Sequence, residues 1–590
     1  MSTSTKWFSW IPKITCSLSS DISGCYGVKV LFFRSSFNSM LLLWKLTTYK
    51  EVEHLTEQGS IGPNTRSQES WNAFRTWLRI CVSKHNQCSP RSLELRRRQL
   101  PRRLIEVSQA NTVRLRTIEN NIENMHTIEY LALSHCWGSG PRFKLTSSSA
   151  AMLYEGVQIS ALCKTFQDAI LVTKRFWDEF GVRYLWIDSL CIAQDSVVDW
   201  RRESAIMGEI YQNAFCTLAA TAAEDGNGGL FFDRDPRRIS PCAIPVVPKG
   251  GEMRWFYFAD HEGWAKNVSR GPLNGRSWVL QERLLSPRVL HFAADQLYWE
   301  CSGFEASEVF PKGFPDGFGE QFKKLLPFSG LPTIEQQAPT SRGPYSIWDQ
   351  IMKIYSSGKL SRRTDRLVAL SGIAHKLQRF IIPHDTYLAG LWKYDLPFEL
   401  LWDVEEPQIP NFRLEYIAPT WSWATRNGTI PCEKETWVSA SRLVDITKAT
   451  VLPIENDKMG QVRGGYICLS GTLVGGSLCR TYQPGSPNPG IALKVGGQMV
   501  YNAICRPDDG FSSTVQLPHV VYCLPILRGT RNLRPIYKGL LLVNSGRERE
   551  FMRYGTFTAD SFIELLVSRT PLGFEMGIPG LNEHYEITIV

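Results

Sequence analysis

The sequence predicts an α/β fold, a parallel sheet with flanking helices, followed by a β-rich module toward the C-terminus. Two observations carry that expectation. Between residues 130 and 221 short apolar runs alternate with stretches of helical periodicity, and from residue 435 onward short β-type runs dominate. At 590 residues the chain is also too long for one compact core, so two or three domains are expected.

The first of these runs, residues 130–136 (YLALSHC), is apolar and closes on Trp137-Gly138, as a buried strand entering a turn does. From Leu162 onward Phe166, Ala169, Ile170, Thr173 and Phe176 recur at helical spacing, and Gly181 stands where that helix should stop. Residues 182–187 (VRYLWI) give a second buried strand, which ends abruptly at Asp188. A helix is expected over about 198–213, with Glu203 interrupting an inward stripe of Trp200, Met207, Ile210 and Ala214. Residues 215–221 (FCTLAAT) make the third strand. Strand, helix, strand, helix, strand is the pattern of a parallel sheet with covering helices. Right-handed crossovers bring the strand ends, Asp188 among them, to one edge where α/β proteins bind ligands.

Farther along, residues 276–285 (RSWVLQERLL) read as a short helix with Trp278, Glu282 and Leu285 on one side. It leads into a hairpin of VLHF and LYWEC. Residues 364–379 look helical, residues 387–402 carry two aromatic-rich patches, and YICLSGTLV, VVYCLPIL and YKGLLLV form the β-rich tail.

Composition narrows the class. With 43% hydrophobic and 21% charged residues the chain is globular and not disordered. The excess of 66 basic over 57 acidic residues leaves +9. Much of it lies in one run, residues 91–103, which reads as a solvated helix face, and no nucleic-acid partner is expected. No stretch reaches the ~18–20 apolar residues of a membrane span. Residues 1–50 contain apolar clusters such as MLLLW but lack the order of parts of a secretory signal, so a poorly packed extension is expected. The 15 cysteines are scattered, which fits reduced thiols in a cytoplasmic protein. Expected segments are a 1–70 extension, a helical, basic lead-in at 71–129, the α/β core at 130–305, an aromatic-rich continuation at 306–430 and the β-rich module at 431–590.

Cys81, His85 and Cys88 fall at i, i+4 and i+7, so a helix would project all three from one face like part of a zinc site. No fourth ligand is evident in the sequence, and a packed face with no metal is expected. A cysteine nucleophile, Cys136 or Cys191 with His135 or His291, would sit in apolar strand-like runs where burial makes a thiol inert. The Gly-x4-Gly-Lys-Ser/Thr, Gly-x-Ser-x-Gly and His-Glu-x-x-His patterns do not occur.

Three blocks, in the right order, resemble the hallmark blocks of the fungal heterokaryon incompatibility (HET) domain. They are YLALSHCWG from Tyr130, RYLWIDSLCIAQDSVVDWRRESAIMGEIYQNAFCTLAA from Arg183, and RSWVLQERLLSPRVLHF from Arg276. Upstream, WLRICVSKHNQC and LPRRLIEV, and downstream, DRLVALSGIA, YLAGLW and APTWSWA, extend the resemblance over roughly residues 71–430. It implies self/non-self recognition with an incompatibility partner protein, ending in programmed cell death in a filamentous fungus.

The order of elements also resembles a TIR domain, a flavodoxin-like sheet that in many relatives cleaves NAD. YLALSHCWG takes the place of the first TIR strand, and RSWVLQERL is similar to the Trp-x-Leu-x-Glu helix that carries the essential glutamate. The resemblance implies Glu282 as catalytic carboxylate and NAD as substrate, without a bound cofactor. It implies Ser134, Trp137, Trp186, Asp188 and Ser189 as nucleotide contacts, and self-association on activation. A carboxylate beside the ribose would stabilise the oxocarbenium-like cation left by departing nicotinamide. Other roles stay open for the same residues. Glu282 lies among Arg276, Arg283 and Arg288 and could be ion-paired. Glu203 could anchor a buried arginine, Asp188 could cap the following turn, and the tryptophans could be core. The alternative is a non-enzymatic module acting through protein–protein contacts.

Overall fold

The computed structural model describes residues 15–20, 26–31, 40–45, 61–88, 99–119, 127–139, 143–240, 242–246, 253–260, 262–314, 318–326, 343–380, 383–405, 415–431, 437, 439–454, 457–481, 490–500, 503–510, 517–531, 534–560 and 585–590. Most of the basic run at 91–103 lies outside them. The chain forms two compact units: Met1–Trp200, Glu209–Asn274 and Ser286–Lys324 in the first, and Arg201–Gly208, Gly275–Leu285 and Leu325–Val590 in the second.

The first unit holds a nine-stranded sheet. Its strands are β1 (Arg103–Val107), β2 (Thr112–Thr117), β3 (Tyr130–Ser134), β4 (Val157–Gln158), β5 (Tyr184–Trp186), β6 (Cys216–Ala219), β7 (Arg288–Phe292), β8 (Leu297–Cys301) and β9 (Glu305–Ser307). They lie in the order β9-β8-β7-β6-β3-β5-β1-β2-β4. The centre, β7-β6-β3-β5, is parallel. Both flanks are antiparallel. The expectation of a parallel sheet therefore holds for its middle alone. Short turns join β1 to β2 and β7 to β8, and a chain that reverses in a few residues can only pair antiparallel. The 71–129 lead-in, expected to be helical, supplies the β1–β2 hairpin as well as helix α1 (Gln68–Lys84).

Helix α2 (Lys164–Phe180) buries Phe166, Ala169, Ile170, Val172 and Phe176, and Gly181 ends it at φ 76°, a left-handed cap that a side chain would resist. The single helix expected over 198–213 is two, α3 (Val197–Ala205) and α4 (Met207–Asn213). A second, five-stranded antiparallel sheet runs in the order Thr15–Ser20, Tyr26–Leu31, Met40–Lys45, Arg254–Ala259, Cys242–Val246. MLLLW is thus a strand paired with residues far along the chain, where a poorly packed extension was expected.

The second unit contains α5 (Ser277–Leu285), α6 (Pro344–Ser357), α7 (Val368–Phe380) and an eleven-stranded sheet, the β-rich module. Eight of the nine α5 residues are buried. Gln281 Oε1 accepts the Gly372 N–H at 2.8 Å, and Ser277 Oγ donates to the Tyr355 carbonyl at 3.2 Å. A Cβ on Gly208 would lie 2.8 Å from Gly372 Cα, so only two glycines allow this backbone approach. These contacts place α5 in the second unit, whereas the sequence pattern put it within the α/β core. Gly390, at φ 103°, offers its carbonyl to the indole N–H groups of Trp348 and Trp423 at 3.0 and 2.9 Å. In the large sheet Leu493, Cys523, Leu541 and Phe557 form a buried face, as the alternating pattern of its strands requires.

Candidate functional site

Ala132 of β3 pairs with Trp186 of β5 in parallel register, so residues 134–137 and 188–189 emerge side by side from the carboxyl ends of these strands. Asp188 is the centre of the group. Its Oδ2 accepts the Trp137 indole N–H at 2.7 Å, and its Oδ1 accepts the Ser189 backbone N–H at 2.6 Å. His135 Nε2 stands 3.8 Å from the same Oδ1. Asp188 thus does cap its own turn, and its side chain keeps 18% exposure.

Around it lie polar groups that the fold buries without satisfying. Ser134 is 2% exposed and Ser189 1%. Among the described residues neither hydroxyl has a hydrogen-bond partner, nor has the Trp186 indole N–H. A buried hydroxyl left unpaired costs about 1–3 kcal/mol, so each of these groups has capacity for a partner such as water. The structure therefore brings Ser134, Trp137, Asp188 and Ser189 together. Trp186 belongs to the core, edge-to-face on Tyr211 at 5.4 Å between ring centroids, and presents no face for stacking.

The segment beyond Asp188 is clamped by a pair that the sequence pattern did not single out. Arg103 reaches both carboxylate oxygens of Asp199 at 2.8 and 2.9 Å and the Cys191 carbonyl at 2.9 Å. Asp199 also accepts the Ala193 N–H at 2.8 Å. Burial opposes the charge on Asp199, but Arg103 and the Ala193 N–H prevail and hold its carboxyl below the usual range. On α2, Asp168 is wholly buried, pairs with Lys164 and accepts the Leu230 N–H at 2.9 Å, fixing the loop after β6. The only sequence signal for either aspartate was a carboxylate on an otherwise inward helical position.

Where β6 ends, Thr221 Oγ1 lies 3.1 Å from His291 Nδ1, and His291 Nε2 lies 3.2 Å from Glu300 Oε2. All three are at most 1% exposed. The chain of contacts fastens β6, β7 and β8 and accounts for His291 without a nucleophilic cysteine. Cys136 and Cys191 are buried as expected. A cavity of about 200 Å³ elsewhere in this unit is lined by Arg66, Trp71, Lys174, Arg175, Asp178 and Phe231 among others, and by none of the expected nucleotide contacts.

Glu282 is 3% exposed and Glu203 fully buried; both belong to the second unit, whereas Ser134, Trp137, Asp188 and Ser189 belong to the first. Cys81, His85 and Cys88 are joined by Cys301, the fourth residue that the sequence spacing did not reveal.

The first unit is thus a mixed α/β domain with a polar group at the carboxyl ends of adjacent parallel strands, the usual ligand-binding edge of such sheets. Residues 130–282 match the family model described as Heterokaryon incompatibility protein (HET), which makes this segment similar to that family's domain. The match takes in the first two sequence blocks and the third as far as Glu282, a shorter span than the 71–430 of the wider resemblance. No curated protein and no solved structure matches the chain, so the likeness to TIR domains rests on the sequence blocks alone. No helix among the described residues is long and apolar enough to cross a membrane.

Proposed function

We propose that this protein acts in heterokaryon incompatibility as a cytoplasmic effector of cell death, and that the β3–β5 edge binds the ribose of NAD. The observation that carries the ligand site is the pair of buried, unpartnered hydroxyls, Ser134 Oγ and Ser189 Oγ, at the strand edge that also holds the partly exposed Asp188. Hydroxyl groups together with a carboxylate are the side chains that suit a vicinal diol. In the reaction the ribose–nicotinamide bond breaks with both electrons leaving on neutral nicotinamide. Water adds to the ribose carbon and yields its proton to solvent. Glu282 is proposed as the essential carboxylate on its sequence alone, Trp278-x-Leu280-x-Glu282 resembling the glutamate-bearing helix of TIR domains.

Purified full-length protein should release nicotinamide from NAD, and Glu282→Gln should lower the rate about 10²–10³-fold, the usual loss of one electrostatic group. Asp188→Asn should act mainly on KM. A second reading, a non-enzymatic signalling module, is favoured by the burial of Glu282 on a helix of the second unit. Equal toxicity of wild type and Glu282→Gln in a yeast host, with NAD undiminished in both, would establish it and overturn the enzymatic proposal. Activation by self-association belongs to the enzymatic proposal, and a strictly monomeric active preparation on size exclusion contradicts it.

A further inference from the structure

We propose that Cys81, His85, Cys88 and Cys301 form a structural zinc site that ties α1 to the end of β8. The four ligand atoms all lie within 4.8 Å of one another. Zn–S and Zn–N bonds of about 2.3 and 2.0–2.1 Å set the edges of a tetrahedron at roughly 3.5–3.8 Å, so small side-chain adjustments close the group on one ion. Cys301 Sγ already stands 3.4 Å from His85 Nδ1, an S···N edge of that size between residues 216 positions apart.

The backbone presents the ligands in a way that a merely packed apolar face does not require. Cys81 lies in the last turn of α1, and the His85 N–H closes on its carbonyl at 3.1 Å. The Cys88 N–H then closes on the His85 carbonyl at 2.9 Å, turning the third ligand back toward the first two. Cys301 enters from the last position of β8. Just beyond it, a Cβ on Gly303 would fall 2.4 Å from His85 Nδ1, so the loop is bare where the imidazole stands. Phe304 packs edge-on against the same ring at 5.4 Å.

A second and independent observation concerns charge. Arg288 is 5% exposed, and its Nε points at Cys81 Sγ at 3.3 Å. Its other nitrogens donate to the carbonyls of Phe215 and Cys88 at 3.0 and 3.1 Å. Among the described residues no carboxylate pairs with it. A buried guanidinium is costly without strong acceptors or a negative partner, and besides two carbonyls and the Phe215 ring the group that Arg288 faces is the Cys81 sulfur. Zinc bound by three thiolates and a neutral imidazole carries a net charge of −1, which Arg288 balances. Three soft thiolates and an imidazole select zinc over hard cations, and four protein ligands leave no open position, so the site holds structure and does no chemistry. Arg288 is the outer partner that orients and stabilises the thiolates.

Metal analysis of the purified full chain should find one zinc per molecule. Replacement by Co(II) should give the visible bands and thiolate charge transfer of a tetrahedral three-sulfur site. Cys301→Ser should lose the metal, His85→Cys should keep it, and Arg288→Ala should weaken zinc binding about 10–100-fold. Zinc content well below one per chain after reconstitution, iron in its place, or full retention by Cys301→Ser would each overturn the proposal. Should Cys301→Ser fail to fold, the wild-type stoichiometry and the cobalt spectrum decide the matter alone.

Discussion

Replacing Arg103 with methionine keeps most of the side-chain volume at the start of β1 but removes the main partner of Asp199, leaving it the Ala193 N–H and the half-exposed Arg102 at 3.5 Å. Arg103 is 8% exposed and Asp199 6%, and two hydrogen bonds of 2.8 and 2.9 Å join them. Removing one member of such a buried pair costs about 3–5 kcal/mol, because the remaining charge stays desolvated. At about 2–4 °C per kcal/mol for a domain of this order, even 3 kcal/mol lowers Tm by roughly 6–12 °C. The double replacement Arg103→Met/Asp199→Leu removes both charges and should recover most of the loss. The pair has a pH signature as well. The folded-state pKa of Asp199 is depressed, so its contribution is fully present above the unfolded value of about 4 and is lost as pH falls through the lower folded value. Wild type should therefore lose more stability in acid than Arg103→Met. Scanning calorimetry of the full-length protein across pH measures both effects. A shift in Arg103→Met smaller than about 2 °C, or a double variant no better than the single, would refute the clamp.

Two further outcomes follow from other groups. Burial pushes the Asp295 carboxyl up to about 6 from 3.8, despite donors at 2.8 Å from Tyr298 and 2.9 Å from Asn267. Its contribution to stability is therefore complete below pH 3.8 and is lost as pH rises through about 6. Asp295→Asn should flatten that part of the urea-midpoint-against-pH curve, and an unchanged slope contradicts the assignment. Gly390→Ala combines an unfavourable φ of 103° with a Cβ 2.6 Å from Trp423 Nε1. Backbone strain of about 1–3 kcal/mol and overpacking of about 1–3 kcal/mol should together destabilise the second unit by at least 2 kcal/mol in urea unfolding.

Period and punctuation made the parallel centre legible: Gly181 ends α2 as its position implied, and the hairpin of β7 and β8 falls on VLHF and LYWEC. Partnership across long separations was not legible. Arg103 meets Asp199 from 96 residues away, and no local pattern marks either as the other's neighbour. Cys301 was hidden for the same reason, being an ordinary apolar-looking end of a strand until the turn after α1 arrives beside it. The compact unit to which α5 belongs could not be read from its sequence, because Gln281, Glu282 and Arg283, which would ordinarily mark the outward side, are themselves buried. At the strand edge the residue types were readable, yet the bond between Trp137 and Asp188 and the unpaired state of Ser134 and Ser189 depend on geometry alone.

The backbone crosses from one compact unit to the other near residues 200, 208, 274, 285 and 324. Sequence identity of the family segment and physical independence are therefore different things here. A fragment cut to residues 130–282 would end inside α5 and lack its partners Gly372 and Tyr355, baring residues that are buried in the whole chain, and should aggregate. Because the chain passes between the units five times, a single recombination point cannot exchange one of them intact.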